Sequence, residues 1–112
     1  MPEATFRHPG QAIDYTPSGA DVAAGQVIQV GGLVGVANVD IADGVLGALQ
    51  VEGVFDVTKA SGGGVTFAAG ATVGWNNTTN TAVAAGTGNF DIGVAVEAAA
   101  DADAFVRVKI NW

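Results

Sequence analysis

The side chains that could perform chemistry are few in this sequence and lie far apart along it. The chain has one histidine, His8, and no cysteine. His8 stands between Arg7 and Pro9, in a segment that we expect to be exposed and to offer no partner that would orient a general base. One histidine without a cysteine does not indicate a Ser-His-Asp or Cys-His arrangement. We therefore predict a solvated histidine and no catalytic residue.

Two pairs of acids, Asp40 with Asp43 and Asp101 with Asp103, raise the question of a calcium site. Calcium takes about six to eight oxygen ligands in an ordered succession. Neither pair has the spacing of an EF-hand loop. We expect these carboxylates to be solvated turn residues, and we predict neither a metal nor a cofactor.

Lys59 precedes a run of three glycines at 62–64. A phosphate-binding loop would need Gly-Lys-Ser/Thr opening a helix, which does not occur here, so this run predicts a flexible turn. The stretch 56–61, Asp-Val-Thr-Lys-Ala-Ser, is similar to the Asp-Lys-Ala motif of lipoyl carrier domains, in which a lysine at a hairpin tip is acylated. Thr58 replaces the acid that normally precedes that lysine. A lipoyl-type carrier modified at Lys59 is one alternative hypothesis, set against a surface lysine at the end of a strand.

Trp75 and Trp112 are the two tryptophans, and there is a single tyrosine. Exposed aromatic rings suit sugar ligands, so a small carbohydrate-binding module is a second alternative. A tryptophan is more typical of a core or of an interface anchor. We expect Trp75 or Trp112 to anchor contacts with a partner.

The elements that position these residues are predicted to be strands. Ala, Gly and Val make up 55 of the 112 residues, and interleaved Gly disfavours helices. From 45 to 57 the odd positions are all apolar and the even ones mixed, which is the period of two of a half-buried strand. The same reasoning places strands at 26–30, 33–37, 72–75, 90–96 and 106–112, with 76–80 as a hairpin tip and 97–103 as a loop with one helical turn.

A faint internal repeat indicates how these strands are organised. Ala-Ala-Gly at 23–25 recurs at 68–70, and the apolar-Gly-Val-Ala motif of 34–37 recurs at 92–95. Two copies are too few for a solenoid. We predict an all-β fold, a small compact β-barrel or sandwich with two similar β lobes. We expect residues 1–10 to form an extended N-terminal arm and residues 11–112 to form a single β domain.

Charge and hydropathy narrow the class of protein further. Four basic residues against eleven acidic ones give a net charge of −7, so binding to nucleic acid is not expected. No apolar run approaches the ~20 residues of a membrane helix, and the first residues lack the apolar stretch of a signal peptide. We expect neither a nucleic-acid nor a membrane partner.

Several motifs in this order resemble a known family. They are Ala-Ala-Gly-Gln-Val-Ile at 23–28, Gly-Leu-Val-Gly-Val-Ala at 32–37, Asp-Ile-Ala-Asp-Gly at 40–44, Val-Glu-Gly-Val-Phe at 51–55, Ala-Gly-Ala-Thr-Val-Gly-Trp at 69–75 and Ile-Gly-Val-Ala-Val-Glu at 92–97. The sequence resembles the family known as DUF2190, the capsid decoration (cement) proteins of tailed phages and prophages, from about residue 11 to the end. Gly74 and Thr58 depart from the family pattern, which has Tyr and Pro at these positions.

The resemblance implies a non-enzymatic, β-rich protein that binds the outer surface of a capsid and stabilises the shell. It implies the major capsid protein as partner, a homotrimer, and a location on the virion surface after a stage in the host cytoplasm. An extended arm can join a neighbour by strand addition, and an acidic protein suits the outside of a DNA-filled particle. We expect contacts from exposed turns and from the arm residues Thr5, Phe6, Arg7, His8 and Pro9.

Overall fold

The computed structural model describes residues 3–5, 7–60, 63–86 and 89–111. These residues contain nine β-strands and no helix. The strands are β1 (Ala12–Tyr15), β2 (Val27–Val30), β3 (Leu33–Ala37), β4 (Gly47–Gln50), β5 (Gly53–Thr58), β6 (Thr72–Asn76), β7 (Thr81–Ala84), β8 (Phe90–Ala95) and β9 (Phe105–Ile110). The predicted all-β class is confirmed.

The strands form two antiparallel sheets. Sheet one has the order β1-β4-β3-β2, and sheet two has the order β5-β9-β8-β6-β7. Sheet two curls until its edge strands meet, since Lys59, just after β5, forms a bridge with Ala82 of β7. The N–H of Ala60 also donates to the carbonyl of Ala82 at 3.2 Å. Sheet two is therefore nearly closed as a barrel, with sheet one packed against it.

The long apolar alternation from 45 to 57 is not one strand, and this part of the prediction is wrong. The chain leaves sheet one after β4 and enters sheet two at β5, with a break at Val51 and Glu52. Gly53 has a φ of 138°, a conformation that glycine adopts readily. Alternation continues across this bend because both strands bury one face, so the pattern does not reveal the change of sheet.

Other local predictions have mixed outcomes. The strands predicted at 26–30, 33–37, 72–75 and 90–96 are confirmed as β2, β3, β6 and β8, and the polar tip at 76–80 follows β6. The C-terminal strand runs from Phe105 to Ile110. Residues 97–103 contain a bridge at Ala99 and a turn but no helical turn. The sequence pattern does not predict β1 or β7.

The internal repeat corresponds to a repeated structure. β1 to β4 pair in the same pattern as β5, β6, β8 and β9, and β7 is an additional strand in the second copy. The loops repeat their hydrogen bonds as well, at the same distances. The N–H groups of Gly25 and Gly70 donate to the carbonyls of Ala37 and Ala95 at 2.6 Å, and those of Val45 and Asp103 donate to Ala42 and Ala100 at 3.0 Å. We name residues 11–52 lobe one and residues 53–111 lobe two.

The main hydrophobic core lies inside sheet two. Sheet one contributes Val34 and Val36 to it, which pack with the inward side chains of sheet two. The opposite face of sheet one has a smaller core of Val22, Ala37, Ile41 and Leu49. Each lobe therefore has a hydrophobic core of its own. The face of sheet one that bears Val34 and Val36 also completes the core of lobe two.

Glycine is required at two equivalent positions of the repeat. A Cβ at Gly93 would overlap the carbonyl oxygen of Lys109, which is backbone and cannot rotate away. At Gly35 a Cβ would lie 2.7 Å from the Cβ of Leu49. The recurring Gly in the motifs at 34–37 and 92–95 thus permits close approach of neighbouring strands.

Asn111 joins the two lobes at the point where the chain leaves sheet one after β4. Its backbone N–H donates to Ile92 of β8 at 2.9 Å. Its side-chain oxygen accepts the N–H of Val34 at 2.9 Å, and its side-chain amide donates to the carbonyls of Val34 and Val51 at 2.6 and 2.7 Å. The side chain thus takes the place of a missing strand beside β3. Asn111 has a φ of 52°, which asparagine tolerates better than most residues.

Replacing Asn111 with Ala should lower the free energy of unfolding by about 2–4 kcal/mol, because three partly buried hydrogen bonds are lost and their backbone partners are left unpaired. Urea unfolding measures this. Asn80→Ala is the matched control, since Asn80 has a φ of 56° and its side chain makes no hydrogen bond within the described residues. Equal losses in the two variants would contradict the role of the side chain.

Candidate functional site

The acids at 40 and 43 hold turns together by accepting backbone hydrogen bonds. Asp40 accepts the N–H of Ala24 at 2.8 Å, and Asp43 accepts the N–H of Gly19 at 2.8 Å. The N–H of Asp43 in turn donates to the carboxylate of Asp21 at 2.7 Å. These contacts fix residues 38–46 against residues 17–24.

The second pair of acids has the same structural role in lobe two. Asp101 accepts the N–H groups of Gly64 and Val65 at 2.9 and 3.0 Å, and Asp103 accepts the N–H of Ala100 at 2.8 Å. Within the described residues, no group of three or more His, Cys, Asp or Glu side chains is placed to hold a metal ion.

Lys59 is not a surface lysine, because its residue is only 4% exposed. Its ammonium group donates to the carbonyl oxygens of Ala60, Val65 and Asp101 at 2.7, 2.7 and 3.1 Å. All three ammonium hydrogens are thus directed to backbone acceptors, which fixes the connection after β5. A lysine held in this way does not present Nζ for acylation, in contrast to a carrier lysine at a hairpin tip.

Trp75 lies in the main core and is 5% exposed. Its indole N–H donates to the side chain of Asn77 at 3.2 Å. The buried ring offers no platform for a sugar, and in the single chain Trp75 is a core residue. Its role as a partner anchor stays a prediction, and Trp112 lies outside the described residues.

The arm residues Thr5, Arg7, His8 and Pro9 are all exposed. Nδ1 of His8 lies 2.7 Å from the carbonyl oxygen of Pro9, a contact within the arm itself. Phe6 lies outside the described residues. The arm remains the candidate contact segment that its sequence suggests.

The outer face of β5 and β9 has an ion-pair network centred on Arg107. Its guanidinium binds Asp56 at 2.9 Å and Glu97 at 3.1 Å. The hydrogen bond from Arg107 holds the pKa of Asp56 below its usual value, and the same bond raises the pKa of Arg107. The contribution of Asp56 to stability is therefore present above its unfolded-state pKa, and it is lost as the pH falls through the lowered folded-state pKa. Both groups are exposed, so solvent screens this contribution.

The most distinctive exposed feature is the connection between β3 and β4, residues 38–46. Val39, Val45 and Leu46 are 64%, 53% and 66% exposed there. The equivalent connection in lobe two has Glu97, Asp103 and Ala104 at these three positions. The turn can thus fold with polar or small side chains, and the fold does not require the apolar ones. Aligning the two repeats of the sequence would have revealed this contrast, which motif searching missed.

Comparison with protein families identifies the class of this protein. Residues 7–110 match the family described as Phage cement protein, which corresponds to the DUF2190 resemblance. The match covers nearly the whole chain, so the chain belongs to this family of capsid decoration proteins, which are structural and non-enzymatic. Cement proteins decorate the virion capsid. Neither the curated proteins nor the solved structures give a significant match.

The described part of the chain contains no helix long and apolar enough to cross a membrane.

Replacing Lys59 with Met should lower the free energy of unfolding by about 2–4 kcal/mol, because three carbonyl groups lose their donor. Urea unfolding with Lys109→Met as the control measures this, since Lys109 is exposed and its loss should cost within about 0.5 kcal/mol. A Lys59→Met protein as stable as wild type would contradict this role. Intact-mass spectrometry of protein from lipoate-fed cells tests the same burial. An added lipoyl mass would contradict it, because Lys59 would then have to be accessible for acylation.

Proposed function

We propose that this cement protein binds the major capsid protein as a homotrimer and contacts the shell through residues 38–46. One observation carries the proposal: of the six exposed large apolar side chains among the described residues, three lie within this single connection. Apolar side chains that are exposed together, rather than singly, mark contact surfaces in soluble proteins.

The hydrogen bonds that hold residues 38–46 support a role in binding. Asp40 and Asp43 fix both ends of the turn, and Ile41 between them forms a bridge with Val22. A surface that is ordered before binding loses less conformational entropy when it meets its partner. Val39, Val45 and Leu46 are therefore presented on a preformed support.

The comparison of the two lobes strengthens this assignment. In lobe two the equivalent turn makes the same hydrogen bond, from Asp103 to Ala100, with acidic or small residues at the positions of Val39, Val45 and Leu46. Val96, which corresponds to Asn38, is an exposed apolar residue of that turn. Solubility favours acidic or small residues on a surface. The apolar side chains of lobe one are thus best explained by contact with another molecule.

A variant with the residues of lobe two in this turn, Val39→Glu, Val45→Asp and Leu46→Ala, should fold normally and bind capsids at least about tenfold more weakly, a loss of about 1.4 kcal/mol. Purified protein is mixed with undecorated cognate capsids and the bound fraction is measured after pelleting. Val54→Glu is the control, because Val54 is 54% exposed on the outer face of β5. Failure of the wild type to pellet with these capsids would overturn the proposed function. Equal binding by the triple variant and the wild type would remove residues 38–46 from the contact.

A further inference from the structure

The free edge of β2 stands out when the two lobes are compared. β2 corresponds to β6, since Ile28 lies opposite Gly35 as Val73 lies opposite Gly93. In sheet two the outer edge of β6 is paired with β7. In sheet one, within the described residues, no strand is paired with the outer edge of β2. Sheet one therefore lacks the strand that completes sheet two.

The burial of side chains shows what the missing strand leaves uncovered. Val73 and Trp75 of β6 are 0% and 5% exposed. Their counterparts in β2, Ile28 and Val30, are only half-buried. A strand added beside β2 would cover these two apolar side chains as β7 covers those of β6.

Backbone hydrogen-bonding groups are available along the same edge. The N–H and C=O of Val34 both bind Asn111, on the side of β3 that faces away from β2. Gln29 lies opposite Val34, so its own N–H and C=O point to the outer edge of β2. β2 contains no charged residue and no proline, the features that usually protect an exposed edge from pairing.

A cleft of about 260 Å³ lies between the two sheets at Val27 of β2, and its lining is mixed, with Asp56, Thr58 and Asn80 beside apolar side chains. Its lining includes Val27 and Val36 from sheet one, and Phe55, Val57 and Trp75 from sheet two. A strand beside β2 could direct a large apolar side chain into this cleft while its backbone pairs with Gln29.

We propose that the edge of β2 accepts the N-terminal arm of a second copy as an added strand. The inference rests on the homotrimer proposed above and names its interface. Lobe one has five carboxylates and no Lys or Arg, so the end of the arm that carries Arg7 complements its charge, whereas Glu3 near the other end does not. This complementarity favours the arm segment around Arg7 as the occupant. The arm of the same chain leads into β1, at the opposite edge of sheet one, and its described residues are exposed. An arm from another copy can approach β2 without crossing the sheet.

The proposed contact is head-to-tail, because each chain has one arm and one β2 edge. Such a contact closes into a ring when the rotation between subunits allows it. In a trimer every arm and every β2 edge is then occupied, which removes the exposed edge.

Cross-linking tests the pairing directly, because the chain has no cysteine of its own. Thr5→Cys and Gln29→Cys are made as separate variants, one with an affinity tag, and mixed with a short bifunctional thiol linker. We expect a cross-linked product that contains one chain of each variant. A trimeric mixture that gives no such product overturns the proposal. The double variant should link between chains, and an exclusively intrachain product would show that the arm reaches its own β2.

A second experiment measures oligomeric state by light scattering. Gln29→Pro removes the outward N–H of an edge residue, and Gln29→Thr retains it. We expect Gln29→Pro and an arm deletion of residues 2–9 to shift the protein from trimer to monomer, and Gln29→Thr to remain a trimer. A folded Gln29→Pro trimer overturns the proposal, as does a wild type that is monomeric at every concentration. If that monomer still pellets with capsids, the capsid contact through residues 38–46 stands without the arm exchange.

Discussion

The hydrogen bonds that join the two lobes where the chain changes sheets depend on one side chain, the amide of Asn111. The chain leaves sheet one after β4, at Val51, to begin the second lobe. Val34 of β3 therefore has no strand residue to pair with on that side. Buried backbone groups without a partner are costly. Asn111 supplies both a donor and an acceptor to Val34 while its own backbone binds Ile92 in sheet two. The chain can therefore change sheets without losing its hydrogen bonds.

The duplicated architecture allows the two lobes to have different roles. Lobe two has the nearly closed sheet, the main core and the buried Lys59, which fixes the connection after β5. Lobe one has the open β2 edge and the apolar turn at 38–46. A cement protein needs both a stable fold and surfaces for contact. In this repeat, lobe two provides the stable core and lobe one provides the proposed contact surfaces. The surfaces that we propose for binding are those where lobe one departs from the pattern of lobe two.

The sequence predicts the class, the repeat and most strands because period-two alternation and turn residues are local signals. It does not predict the split between β4 and β5, because Leu49, Val51 and Val57 keep one alternation through the bend. It also does not predict the burial of Lys59, because one of its three acceptors, the carbonyl of Asp101, lies in a loop that is distant in sequence. The role of Asn111 depends on a gap that exists only after both sheets have formed.

Native-state hydrogen exchange of the Val34 amide tests most directly whether Asn111 makes the lobes one cooperative unit. This amide donates to the side chain of Asn111, so its exchange should require global unfolding, with the same opening free energy as the amides of β9. Val34 exchanging far faster than a still-protected β9 would contradict the account, because lobe one would then open independently of lobe two.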